Sequence, residues 1–213
     1  EKNTCYSVCM LRLFQHSYLF RASPTRFFTN QAGESVGSLE IIFGPMFSGK
    51  TTELQRRIRR YSFAHKECIV VKYWADTRYE PGSAVSTHDQ QKYPAIPCAK
   101  LEEIVDQVKQ YQVIGIDEGQ FFPDISEYAS LWASEGKTVV VAALDGTFQR
   151  KPFGRVLDLV PMAEKITKLS AVCMVCCKND AAFTKRRTTE TKVEIIGGKE
   201  TYLAVCRECY QKQ

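Results

Sequence analysis

The sequence has no apolar run approaching the ~20 residues that a helix needs to cross a bilayer, so neither a spanning helix nor a membrane partner is expected. Internal repeats and low-complexity tracts are also missing, which excludes a solenoid. Strong charge of either sign is absent too: 29 Lys and Arg stand against 24 Asp and Glu, a net charge of +5. So small an excess does not argue for a nucleic-acid partner. One stretch lacks acids altogether. Between Lys2 and Gly33 there is no Asp or Glu, while Arg12, Arg21 and Arg26 are spaced among Leu, Phe, Ser and Tyr. This is the composition of an organellar transit peptide, and equally of an unstructured extension. Either way, residues 1–37 are expected to lie outside the fold.

The full chain, at 44% hydrophobic and 25% charged residues, has an ordinary globular composition, and its length fits one substantial domain and a small extra module. Its clearest signature is Gly44-Pro45-Met46-Phe47-Ser48-Gly49-Lys50-Thr51, which fits G-x-x-x-x-G-K-[ST]. The five residues before it, Leu39 to Phe43, form a β-branched and aromatic run that predicts a buried strand. Thr52 to Ile58 predicts the opening of a helix. A strand, a Gly-rich turn and a helix in that order present backbone N–H groups and a positive helix end to phosphate. Lys50 would reach the β- and γ-phosphates of ATP, and Thr51 would ligate Mg²⁺.

The elements that follow alternate. The helix runs to about Ala64, and Cys68 to Lys72 is a second strand. Residues 74–100 are loop-rich, with Pro81-Gly82, Pro94 and Pro97. Leu101 to about Gln110 reads as an amphipathic helix, 113–117 as a strand, 124–135 as a helix and 138–144 as the most apolar strand. This predicts an α/β fold: a mostly parallel sheet with helices on both faces. Ligands of such sheets bind beyond the carboxyl ends of the strands, where Gly44, Asp117 and Asp145 fall. Arg56, Arg57, Arg59 and Arg60 are expected on a solvated or subunit-facing side of the first helix.

Asp117-Glu118-Gly119-Gln120 closes an apolar strand. A strand-terminal Asp beside a P-loop holds Mg²⁺, and Glu118 is then placed to take a proton from a hydroxyl or from water. The spacing does not say which. Of the nine cysteines, Cys173, Cys176, Cys206 and Cys209 form two C-x-x-C pairs separated by 29 residues. Four thiolates suit a closed structural Zn²⁺ site, and the long gap must be a structure in its own right. With a nucleotide signature in the same chain, this usage points to a reducing compartment. Arg78, in Asp76-Thr77-Arg78-Tyr79, is either a phosphate clamp or a surface cation, and His88 is equally open. The run from Leu144 to Gly154 mixes glycines, cations and two Phe rings able to sandwich a planar base.

Taken together, the P-loop octet, Asp-Thr-Arg-Tyr, Ile-Asp-Glu-Gly-Gln-Phe-Phe, Ala-Leu-Asp-Gly-Thr-Phe-Gln-Arg and the Cys pairs resemble the zinc-containing, cytosolic-type thymidine kinases over about residues 39–210. The resemblance implies a RecA-like P-loop domain over 38–170 and a zinc-binding module over 171–213 that carries a lasso loop. It implies transfer of the γ-phosphoryl group of ATP to the 5′-hydroxyl of thymidine, and of deoxyuridine, with Glu118 as general base. Gly44 to Thr51, Asp76, Thr77, Arg78, Asp117, Glu118, Gly119 and Gln120 would line the ATP and phosphate site, Thr51 and Asp117 serving Mg²⁺. Met46, Leu144, Thr147, Phe148, Phe153, Val193, Glu194, Ile195, Ile196, Gly197 and Tyr202 would hold the nucleoside. A homotetramer inhibited by thymidine triphosphate (dTTP) is expected. The extension departs from the family pattern, so a cytoplasmic location competes with a mitochondrial or other organellar one. With Gln213 soon after the Cys pairs, regulation through a C-terminal tail is not expected. A nucleic-acid-dependent ATPase would share the acid pair, but needs motor motifs beyond residue 160. A nucleotide sensor would not need both Lys50 and Glu118.

Overall fold

The computed structural model describes residues 36–75, 95–188, 190, 192–193 and 197–212. Asp76, Thr77, Arg78, His88, Glu194, Ile195, Ile196 and nearly all of the 1–37 extension lie outside those residues. Six parallel strands form one sheet: β1 (Ser38–Phe43), β2 (Cys68–Tyr73), β3 (Ala95–Cys98), β4 (Val113–Ile116), β5 (Thr138–Ala143) and β6 (Lys165–Lys168). Their spatial order is β3-β2-β4-β5-β1-β6. The helices are α1 (Lys50–Phe63), α2 (Val105–Val108) and α3 (Ile125–Ser134). None among the described residues is long and apolar enough to cross a membrane.

The period-2 alternation of each strand divides the core between the two faces of the sheet. Ile41, Phe43, Ile114, Val139 and Val141 pack against Ile125, Ala129 and Trp132 of α3. Ile42, Val70, Val113, Val140 and Ala142 face Leu54 and Ile58 of α1. Helices therefore cover both faces, as the alternation of elements implies. Every residue of β4 and β5 is buried, which is why these read as continuous apolar runs.

The structure departs from expectation at three places. The loop-rich section ends in an edge strand, β3, where Pro97 lacks an N–H to give and an outermost strand tolerates that. Lys165–Lys168 forms the opposite edge, too polar to be predicted as a strand. The helix expected from Leu101 is a 3₁₀ turn, Leu101–Ile104, that continues into the four-residue α2. Leu101, Ile104 and Val108 are still the residues it buries.

Arg57 also leaves the solvated face expected for it. It is 2% exposed, and its guanidinium donates to Glu40 (2.7 Å), Glu53 (2.9 Å) and Thr167 (2.9 Å). Tyr61 adds a hydrogen bond to Glu40 at 3.0 Å. One side chain thus ties α1, and with it the end of the P-loop, to β1 and β6. Truncating one partner of such a buried set leaves charge unpaired. Glu40→Ala is therefore expected to lower the unfolding free energy by about 3 kcal/mol. Urea denaturation measures this, and a loss under about 1 kcal/mol would show that the pair does not hold the helix.

Candidate active site

β1 runs straight into the P-loop, and the turn is completed by Gly49, whose φ of 81° suits a residue without a Cβ. The first bond of α1, from the Glu53 N–H to the Gly49 carbonyl (2.9 Å), starts the helix at the loop. The N–H groups before it stay directed at the turn, as anion binding requires. Lys50 Nζ donates to the Pro45 carbonyl at 2.8 Å, so its ammonium lies across the loop.

Asp117 follows β4 and is buried. The Thr51 hydroxyl donates to its Oδ1 at 3.1 Å, which joins the P-loop helix to the acid pair. Burial, and then the neighbouring Glu118 charge, pushes the Asp117 carboxyl up to about 7. The Thr51 hydroxyl, the Glu118 N–H and the Lys50 charge oppose that rise. Thr51 and Asp117 are hard oxygen donors within reach of one ion, a set that fits Mg²⁺.

Glu118 has φ 55°, a left-handed conformation costly for a side chain with a Cβ and found where surroundings over-determine it. The Glu118 N–H donates to Asp117 Oδ1 at 3.1 Å and its carbonyl accepts from the Phe121 N–H at 3.0 Å, while the side chain is held by Gln120. Gln120 Nε2 donates to Glu118 Oε2 at 2.6 Å, and its Oε1 accepts from the Leu144 N–H at 2.9 Å. Gln120 therefore fixes the Glu118 carboxylate against the end of β5 from a buried position.

A cavity of about 180 Å³ opens at this edge of the sheet. Met46, Phe47, Gly49, Lys50, Thr51 and Glu118 line one part of it. Leu144, Thr147, Phe148, Phe153, Val193, Gly197 and Tyr202 line the rest. Every described member of the expected nucleoside-binding set thus faces one space with the P-loop lysine and Glu118. Gly146, within the run from Leu144 to Gly154, also lines the cavity, and sequence reasoning missed two lining residues: Phe121 and Thr184. Phe121 stacks on Tyr73 (centroids 5.0 Å apart) and meets Phe153 edge-on at 5.5 Å. Thr184 Oγ1 accepts the Met46 N–H at 3.0 Å, pinning the P-loop to the C-terminal module. No local sequence signal marks Thr184; only the strand Phe183–Arg186 buries it on the same face as Arg186.

That module contains two antiparallel pairs: β7 (Ala171–Val172) with β8 (Asp180–Ala181), and β9 (Phe183–Arg186) with β10 (Tyr202–Val205). α4 (Arg207–Gln211) closes it. Among the described residues between the Cys pairs, β8, β9 and β10 are regular strands. The Sγ atoms of Cys173, Cys176, Cys206 and Cys209 all lie within 4.8 Å of one another. A tetrahedral Zn²⁺ with bonds of ~2.3 Å sets sulfurs about 3.8 Å apart, so the cluster fits zinc. Burial resists ionisation of Cys173, yet the N–H groups of Cys176, Cys206 and Val175 pull its thiol down to about 6. Cys177 is exposed and outside the cluster.

The thymidine kinase family model matches residues 37–210. The chain is similar to thymidine kinase 1 of Dictyostelium discoideum, 58% identical over 177 residues that make up 82% of this chain and 78% of that protein. It is 55% identical to the thymidine kinase of variola virus over 174 residues, 82% of this chain and 97% of that protein. It is likewise 55% identical to the cytosolic thymidine kinase of Homo sapiens over 177 residues, 83% of this chain and 74% of that protein.

The thiolate geometry makes a stoichiometric prediction. Elemental analysis should find one zinc per chain, and Cys206→Ser should lose it, because three ligands leave the shell open. A Cys206→Ser protein that keeps a full zinc would overturn the ligand assignment.

Proposed function

The chain belongs to the thymidine kinase family and is a nucleoside kinase, and from that premise we propose that it transfers the γ-phosphoryl group of ATP to the 5′-hydroxyl of thymidine. Deoxyuridine, which differs by one methyl group, is the second substrate. The observation that carries this reading is the shared cavity: Lys50 and Thr51, Glu118 and the rings of Phe148, Phe153 and Tyr202 face one space. A phosphate donor and a planar-base acceptor would meet there with a carboxylate between them.

In this reading the P-loop N–H groups and Lys50 hold the β- and γ-phosphates. Thr51 and Asp117 hold Mg²⁺, which neutralises charge on the phosphates when bound. Glu118, fixed by Gln120, accepts the 5′-hydroxyl proton while the new O–P bond forms and the bond to the β-phosphate oxygen breaks, releasing ADP and dTMP. Orientation carries much of the rate, because phosphoryl transfer asks the protein mainly for positioning and charge stabilisation.

Regulation and assembly follow from the same premise. dTTP joins the thymine of the product to a triphosphate, so it would fill the cavity from base wall to P-loop and act as feedback inhibitor; inhibition that excess thymidine does not relieve would refute this. A homotetramer is proposed on the family relationship, and light scattering that finds only monomer refutes it. The cytoplasm is proposed as the location, supported by the similarity to the human cytosolic protein. The acid-poor, Arg-spaced extension supports an organelle instead, and a reporter fused to residues 1–37 separates the two.

ADP release should depend on thymidine and be indifferent to single-stranded DNA; the opposite dependence would remove the kinase reading. Glu118→Gln should lower kcat by roughly 10²- to 10⁴-fold with thymidine binding nearly unchanged. Full turnover in that variant would show that another group takes the proton.

A further inference from the structure

Three walls of the acceptor cavity, Phe148, Val193 and Tyr202, come from three separate segments, and one side chain touches all three. That side chain is Arg186, at the end of β9. It is 7% exposed and does not itself line the cavity. Its Nη1 donates to the carbonyls of Glu190 (3.0 Å) and Lys192. Its Nη2 donates to the Val193 carbonyl (3.0 Å) and the Tyr202 hydroxyl (2.6 Å). The planar group lies 3.9 Å from the Phe148 ring centroid and 5.1 Å from that of Tyr202. All four terminal N–H bonds are therefore used, and only the buried Nε lacks a partner.

We propose that Arg186 is a positioning residue for the nucleoside: it fixes the cavity walls at Phe148, Val193 and Tyr202 and so sets acceptor affinity without taking part in phosphoryl transfer. The inference rests on the proposed thymidine site. Its physical basis is the cost of what is observed. Among the described residues no carboxylate pairs with this buried cation. Carbonyl dipoles and aromatic faces offset its desolvation instead. The carbonyls of Glu190, Lys192 and Val193 belong to irregular backbone and need donors. A guanidinium supplies four N–H bonds in one plane and keeps its faces free for stacking. An ammonium offers three donors on a flexible stem and has no face to stack.

Arg186→Lys tests this, because it keeps the charge and most of the bulk. Thymidine KM is expected to rise roughly 10- to 100-fold, with the KM for ATP unchanged and kcat within about threefold. Amide exchange without nucleoside should quicken at Lys192 and Val193, and zinc content should stay at the wild-type value. An unchanged thymidine KM would overturn the proposal. So would a parallel loss for ATP, or loss of zinc, since either would mean that Arg186 holds the module together generally. Tyr202→Phe is the milder variant, removing one acceptor and keeping the ring. It should raise thymidine KM about three- to tenfold, and no rise again refutes the clamp. Wild-type protein without thymidine-dependent ADP release would remove both the site and the clamp. Normal wild-type turnover with an unaffected Lys variant would remove the clamp alone.

Discussion

A parallel sheet puts all its carboxyl ends on one edge, and the chemistry of this protein follows from that constraint. β1 delivers the P-loop there, β4 delivers Asp117 and Glu118, and β5 delivers the loop with Thr147 and Phe148. β5 lies between β1 and β4, so the P-loop strand and the acid strand are about 10 Å apart. The gap is bridged by α1, which leaves the P-loop and crosses β5 toward β4, packing Leu54 and Ile58 on Val140 and Val113. Gly115 permits that approach: a Cβ there would stand 3.0 Å from the Ile58 side chain. Helix and sheet lie close enough for Thr51 to reach Asp117. Packing at the middle of β4 thus sets a distance at its end.

The same physics decides which elements could be foreseen. β1, β2, β4 and β5 are sandwiched between helices, so most of their residues are apolar on both faces and stand out as runs. The edges obey no such rule. Lys165-Ile166-Thr167-Lys168 lies mostly in solvent, and its membership of the sheet depends on backbone pairing with β1 that no side chain announces. Ala95–Cys98 is hidden for a related reason, since a Pro in a run argues against a strand except at an edge. Arg57 shows the limit of charge patterning. Four arginines in five positions read as a wet face, yet one turns inward because Glu40 waits on the adjacent strand.

For the site, what was legible divides by how local the chemistry is. The P-loop and the acid pair are contiguous, and their residue types state their function. The cavity wall proposed for the nucleoside is assembled from distant segments, and only resemblance to a family could gather Met46, Phe148 and Tyr202 into one set. Thr184 and Arg186 escaped even that. In the sequence they sit in Phe183-Thr184-Lys185-Arg186-Arg187, where a basic triplet reads as solvated. Antiparallel pairing with β10 turns alternate residues of that strip inward, and pairing over a gap this long is not written in local sequence.

The make-up of the C-terminal module accounts for a four-cysteine cluster in it. Its apolar cluster is Ala171, Ala181, Ala204, Val205 and the ligand cysteines Cys173, Cys206 and Cys209, with Met174, Phe183, Leu203 and Tyr210 partly buried against it. So small a cluster buries little area, and a four-thiolate zinc is the usual reinforcement for a unit of this size. The module nevertheless has an exacting task. Thr184 holds the P-loop at Met46, Arg186 stacks on Phe148, and the Tyr210 hydroxyl, one residue beyond Cys209, donates to the Phe148 carbonyl at 2.6 Å. Phe148 is thus held by its ring and by its backbone, both from the same small unit. On the reading proposed above, zinc binding and acceptor recognition are parts of one rigid object, and the sheet supplies phosphate chemistry that any P-loop protein could share.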